Sequence, residues 1–192
     1  MNFIGTELPG VVIVEPAVFA DDRGWFMESW NQARFDAALK AMGLPAPRPF
    51  VQDNHSCSRA GVLRGLHYQL PPYAQSKLVR VLRGKILDVV VDIRKGSPTY
   101  GKSYSKVLSA KNKRQLLIPK GFAHGFSVLS EKAEVLYKCD EFYNKQSEAG
   151  IFYNDPELNI DWRIPAEYAV VSDKDKILPV FAECNNSFVF EE

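Results

Sequence analysis

Lys77-Leu78-Val79-Arg80-Val81-Leu82-Arg83-Gly84-Lys85-Ile86-Leu87-Asp88-Val89-Val90-Val91-Asp92-Ile93 consists of two apolar, β-branched runs with one glycine between them. Runs of that length and composition read as strands, Lys77 to Arg83 and Lys85 to Ile93, with Gly84 as the break. The same signature continues in both directions. Upstream lie Phe50 to His55 and Val62 to Gln69; downstream lie Tyr104 to Leu108, Arg114 to Ile118, Ala123 to Leu129 and Ala133 to Cys139. Gly96-Ser97-Pro98, Ala110-Lys111-Asn112 and Pro119-Lys120-Gly121 punctuate them. Many short strands without intervening helices argue for an antiparallel sandwich or barrel.

Nearer the N-terminus, Val11-Val12-Ile13-Val14 suits a strand stopped by Pro16, and Trp25 to Trp30 suits another, with a turn at Asp21-Asp22-Arg23-Gly24. Asn31 can cap a helix whose apolar residues Phe35, Ala38, Leu39 and Met42 recur at helical spacing until Gly43 and Pro45 end it. From Asn144 onward, Pro156, Pro165 and Pro179 leave irregular loops and short helical pieces. The whole chain, 1–192, reads as one mainly β domain.

With 24 basic against 23 acidic residues, no excess positive charge exists to hold a nucleic acid or an anionic membrane surface, although a few placed arginines suffice for a phosphate. No apolar run approaches the roughly 18 residues of a membrane span, and Met1 to Glu7 lacks the pattern of a leader, so the expectation is a soluble, cytoplasmic protein. Cys57, Cys139 and Cys184 are odd in number and scattered, which suits reduced packing cysteines.

Val62-Leu63-Arg64-Gly65-Leu66-His67-Tyr68-Gln69 places polar groups where strand packing would prefer apolar ones. A lone buried histidine that only satisfies its own hydrogen bonds is the commoner case. Arg64 and His67 are three apart, so a regular strand sends them to opposite faces; Gly65 could mark a bulge that brings both to one pocket.

Pro119-Lys120-Gly121-Phe122-Ala123-His124 has the shape Pro-x-Gly-x-x-His and resembles the second motif of cupin jelly rolls. The His-x-His pair of metal-dependent cupins is missing from the corresponding first region, His67-Tyr68-Gln69. His55 could complete a three-histidine site with His67 and His124, but histidines without local ligand spacing are weak evidence, and no metal is expected.

Together, Phe50 to Ser56, Val62 to His67, Ser76 to Arg80, Asp88 to Arg94, Ile118 to Phe126 and Leu136 to Cys139 resemble, in register, the dTDP-4-dehydrorhamnose 3,5-epimerase family. The resemblance runs from about Leu8 to Asp175 and implies an antiparallel double-stranded jelly roll, cupin-like, working as a homodimer without metal or organic cofactor. It implies a dTDP-4-keto-6-deoxy sugar as substrate, His67 as base with Asp175 as partner, Tyr137 as acid, and Lys77 beside the enolate oxygen. On sequence grounds Asp88 and Asp173 rival Asp175. Binding roles fall on Arg23, Glu28, Gln52, Asn54, Arg64, His124, Glu148 and Lys174, and Tyr143 falls where the family stacks a ring on thymine. The rivals are a mono-epimerase of a related sugar, a sugar-nucleotide binding module without turnover, and a metal-dependent cupin enzyme.

Overall fold

In the computed structural model, which describes residues 1–190, the break at Gly84 is a change of sheet. Its φ is +76°, and a Cβ there would lie 2.0 Å from the Lys132 carbonyl oxygen, so only glycine fits the crossing. In chain order the strands are β1 (Asn2–Gly5), β2 (Val12–Glu15), β3 (Val18–Asp21) and β4 (Gly24–Met27), followed by helix α1 (Gln32–Ala41). Then come β5 (Gln52–Arg59), β6 (Leu63–Gln69), β7 (Lys77–Arg83), β8 (Lys85–Asp92), β9 (Ser103–Ser109), β10 (Gln115–Ile118), β11 (Phe122–Val128), β12 (Lys132–Cys139) and β13 (Glu148–Gly150). The C-terminal tail carries a four-residue helix, α2 (Asp173–Lys176), and short 3-10 turns.

One sheet has the order β1-β2-β10-β7-β12-β5 and the other β13-β6-β11-β8-β9, while β3 and β4 form a separate hairpin. Every ladder between these strands is antiparallel. The result is the antiparallel sandwich that the strand pattern argues for, in the jelly-roll form that the family resemblance implies, and consecutive β7 and β8 lie in opposite sheets. Strand β8 explains its own continuous apolar run. Ile86 and Val90 join Val79, Val81, Phe126 and Val135 between the sheets, whereas Leu87, Val89 and Val91 point outward against Leu66, Ile151, Trp162 and Phe181. A strand buried on both faces has no polar face to alternate with. Each such side chain contributes roughly 1.5–3 kcal/mol by leaving water.

Helix α1 begins where Asn31 accepts from the Arg34 amide and lays Phe35 and Leu39 on Val12, Val14, Leu78 and Leu117. It covers only part of the outer face of the six-stranded sheet.

The strands Asn2–Gly5, Val18–Asp21 and Glu148–Gly150 are additions to the sequence reading. The turn at Asp21 to Gly24 closes the β3–β4 hairpin, and β4 ends at Met27 because Trp30 turns away to pack on Phe35 at 4.2 Å between ring centroids. Strand β5 runs to Arg59, four residues past the expected end. Its inward residues Asn54, Ser56 and Ser58 are polar, so no apolar period marks it.

Candidate active site

Two adjoining cavities, 270 and 350 Å³, open between β6 and β11 on one wall and β5, β7 and β12 on the other. Asn54, His67, Lys77 and Tyr137 line both. How β6 supplies two polar side chains to this space is settled at Gly65. In the pairing with β11, His67 stands opposite His124 and Arg64 opposite Phe126, so three steps along β6 match two along β11. The extra residue restores the parity, and Arg64 and His67 line one cavity while Leu63 and Leu66 stay in the outer core. Gly65 has φ +115°, and a Cβ on it would lie 2.6 Å from the Gly125 Cα.

His67 Nε2 lies 2.7 Å from Asp175 Oδ1. The second oxygen of Asp175 accepts from the Gly65 amide at 3.3 Å, and its own amide donates to the Ser172 hydroxyl that caps α2. Burial works to raise the Asp175 carboxyl, but hydrogen bonding and charge from His67, then the Gly65 amide and Ser172, outweigh it and hold it below the usual range. Of its sequence rivals, Asp173 is fully exposed and pairs with Lys176, and Asp88 pairs with His124, again Nε2 to Oδ1 at 2.7 Å. Asp88 is completely buried, and its other oxygen has no hydrogen-bond partner among the described residues.

On the facing wall, Tyr137 extends the inward series Ala133, Val135 and Cys139 of β12. Burial raises its phenol above the ordinary range, with Cys139 adding to the rise and Arg64 opposing it, so the group is protonated at neutral pH. Lys77 Nζ lies 5.9 Å from the Tyr137 ring centroid. Burial pushes the Lys77 ammonium below its usual range, while Cys139, Asp88 and Glu148 pull the other way.

Gln52, Asn54, Gln69, Gln75, Tyr143 and Glu148 complete the outer cavity. Glu148 takes a hydrogen bond from the Tyr143 hydroxyl at 2.9 Å and pairs with Lys174. Burial favours its neutral form, but the Lys174 and Tyr143 hydrogen bonds and the Lys174 charge outweigh it and leave Glu148 below the usual carboxylate range.

The pocket thus sets a His–Asp pair opposite a tyrosine and a half-buried lysine. A family model described as dTDP-4-dehydrorhamnose 3,5-epimerase matches residues 5–183. The chain belongs to this family. It is 58% identical over 175 residues to the dTDP-4-dehydrorhamnose 3,5-epimerase of Shigella flexneri, covering 91% of this chain and 93% of that one. The dTDP-6-deoxy-D-glucose-3,5-epimerase of Legionella pneumophila, solved with dTDP-4-keto-L-rhamnose, superposes with a TM-score of 0.88 at 47% identity over 95% of this chain and 93% of that one. A 3'-monoepimerase from Streptomyces bikiniensis, solved with dTDP-quinovose, gives 0.84 at 31% identity over 93% and 87%.

Not every residue that the epimerase-family resemblance names reaches this cavity within one chain. Arg23 sits at the tip of the β3–β4 hairpin, its side chain 90% exposed and paired with Asp21. Glu28 follows that hairpin and accepts from Asn31 at 3.0 Å, away from the cavity walls. His55 turns its ring to the outer face beside Glu134 at 3.7 Å, out of reach of a shared ligand with His67 and His124. Among the described residues, no three His, Cys, Asp or Glu side chains converge to hold a metal ion, and no helix is long and apolar enough to cross a membrane.

A larger cavity of 630 Å³ lies behind α1, but its basic residues Arg48, Arg94 and Lys120 each already meet a carboxylate, of Glu141, Asp92 and Asp140 respectively. Gln69 and Gln75 were not singled out in the sequence as site residues. The parity of β6 points to the first, since it lies two residues beyond His67 on the same face.

Proposed function

We propose that the protein is an isomerase that converts dTDP-4-dehydro-6-deoxy-D-glucose to dTDP-4-dehydro-L-rhamnose by inverting C3 and C5, without a cofactor, in dTDP-L-rhamnose biosynthesis. The observation that carries this reading is the placement of His67 and Tyr137 on opposite walls of one cavity, with Lys77 between them in sequence and beside Tyr137 in space. Inversion needs a proton taken from one face of a carbon and returned to the other.

The C4 ketone acidifies the hydrogens on both C3 and C5. An ionised Asp175 can only accept, so its contact with His67 requires the proton on Nε2, which leaves the Nδ1 lone pair as the base. Nδ1 takes the proton, the C–H electron pair moves into the ring, and the C4 oxygen becomes an enolate that the Lys77 ammonium stabilises. Asp175 stabilises the imidazolium formed. The Tyr137 hydroxyl then delivers a proton to the opposite face of the carbon, and exchange with solvent resets both groups.

Arg64 and His124 bind the sugar-diphosphate portion in this reading, with Gln52, Asn54, Glu148 and Lys174 around the nucleotide and Tyr143 stacked on thymine. Arg23 and Glu28 would come from a second copy of the chain. The β3–β4 hairpin that carries Arg23 exposes Phe19, Trp25 and Phe26 at 66%, 56% and 70%, an apolar surface suited to exchange in a homodimer. The proposed setting is the cytoplasm.

Incubation with substrate in D2O, followed by NMR, tests the reading. Deuterium at both carbons is expected. Exchange at one carbon selects a mono-epimerase; dTDP binding without any exchange selects the binding module. Stoichiometric bound zinc or iron, lost together with activity on chelation, selects a metal enzyme.

A further inference from the structure

Gln69 ends β6 two residues after His67 and is 5% exposed, yet it bonds to nothing in its own sheet through its side chain. Its Nε2 donates to the carbonyls of Tyr73 at 2.6 Å and Phe142 at 3.2 Å, and its Oε1 accepts from the Asn144 amide at 2.8 Å. All three partners are backbone groups of two loops, one leaving β6 and the other leaving β12. Two of them flank Tyr143 on either side. The Tyr143 amide itself donates to Gln52 Oε1 at 2.9 Å. Gln75 adds a second clasp between the same loops, donating to the Glu141 carbonyl at 2.8 Å.

Tyr143 meanwhile is 55% exposed as a residue, so side-chain packing does little to hold it. What holds it is its main chain, gripped at the residue before, at its own amide and at the residue after, together with the single bond from its hydroxyl to Glu148. An exposed ring fixed in this way loses less freedom on stacking against a base than one on a free loop.

We infer that Gln69 is a positioning residue for the nucleotide subsite: by stapling the two loops it sets Tyr143 at the cavity mouth, and it ties that loop to the strand that carries His67. It touches neither the reacting carbons nor, through its own bonds, the base. Its contribution falls on nucleotide affinity and leaves proton transfer alone. This rests on the reading above that Tyr143 stacks on thymine.

The test is a double-mutant cycle on dTDP affinity, measured by calorimetry, with kcat and KM for the epimerisation alongside. Gln69→Met keeps the bulk and removes all three bonds. It is expected to weaken dTDP binding and raise KM by about tenfold while kcat stays within about twofold. Tyr143→Ala is expected to weaken dTDP binding by a similar factor, and Gln69→Met added to it should cost nothing more.

A full additional loss in the Tyr143→Ala background, or a kcat decrease at unchanged KM, overturns the inference, because a merely structural glutamine would act that way. If Tyr143→Ala leaves dTDP affinity intact, the stacking reading and this inference fall together. If Tyr143→Ala weakens binding and Gln69→Met does not, this inference alone falls. Should Gln69→Met not fold, Gln75→Met breaks the companion clasp without touching β6; about threefold weaker dTDP binding that vanishes in the Tyr143→Ala background supports the staple, and unchanged binding overturns it.

Discussion

Two His–Asp pairs stand side by side across the β6–β11 ladder, each with Nε2 and Oδ1 2.7 Å apart, and everything around them differs. The His67 ring is 30% exposed to the cavity; the His124 ring is 8% exposed. Asp175 uses both oxygens, on His67 and on the Gly65 amide, whereas one Asp88 oxygen in the core finds no partner among the described residues. A proton shuttle needs a nitrogen open to the cavity, and the first pair has the more open ring. The second is placed to hold a ring still. Identical pair geometry therefore does not identify a base; access and the satisfaction of the carboxylate do.

Substitutions can break that contrast. His67→Ala should lower turnover by about 10²–10⁴-fold while dTDP still binds, as read by steady-state kinetics and calorimetry. An equal loss in His124→Ala would erase the distinction. Asp175→Asn keeps an acceptor for His67 but removes the charge that stabilises imidazolium, so kcat should fall by about 10²-fold or more. Asp88→Asn should cost no more than about tenfold in kcat, or about 1.4 kcal/mol of barrier, since the His124 ring it holds is only 8% exposed.

The smallest effect is on stability in acid. Asp175 is held below the ordinary carboxylate range in the folded chain, so the stability it adds is present above its unfolded value and drains away as pH falls through the folded one. Denaturant titrations should show a smaller loss below about pH 4 in Asp175→Asn than in the wild type, the remainder coming from other carboxylates held low, such as Asp92 and Glu148.

The sandwich is legible in the sequence because its strands are short, apolar and separated by obligate glycines and prolines, as at Gly84. Strand β5 is legible only in part, because a strand facing a polar cavity loses the apolar period by which strands are recognised. Gly65 shows the same tension in the readable direction. The parity conflict between Arg64 and His67 names the residue where the chain must bulge, and the ladder shifts there. Asp175 could not be separated from Asp88 and Asp173 by sequence alone, since only the fold brings a residue 108 positions away onto His67. Gln69 was hidden for another reason: its partners are backbone groups of loops, which leave no pattern in residue types.

The measurement that bears most directly on the account is solvent-deuterium wash-in at C3 and C5, run in parallel on the wild type, His67→Ala and Asp88→Asn. The account predicts label at both carbons with the wild type, label at both no more than about tenfold more slowly with Asp88→Asn, and label slowed by about 10²–10⁴-fold with His67→Ala. Label that enters at an undiminished rate in His67→Ala would contradict it, because the proton would then be leaving through some other group.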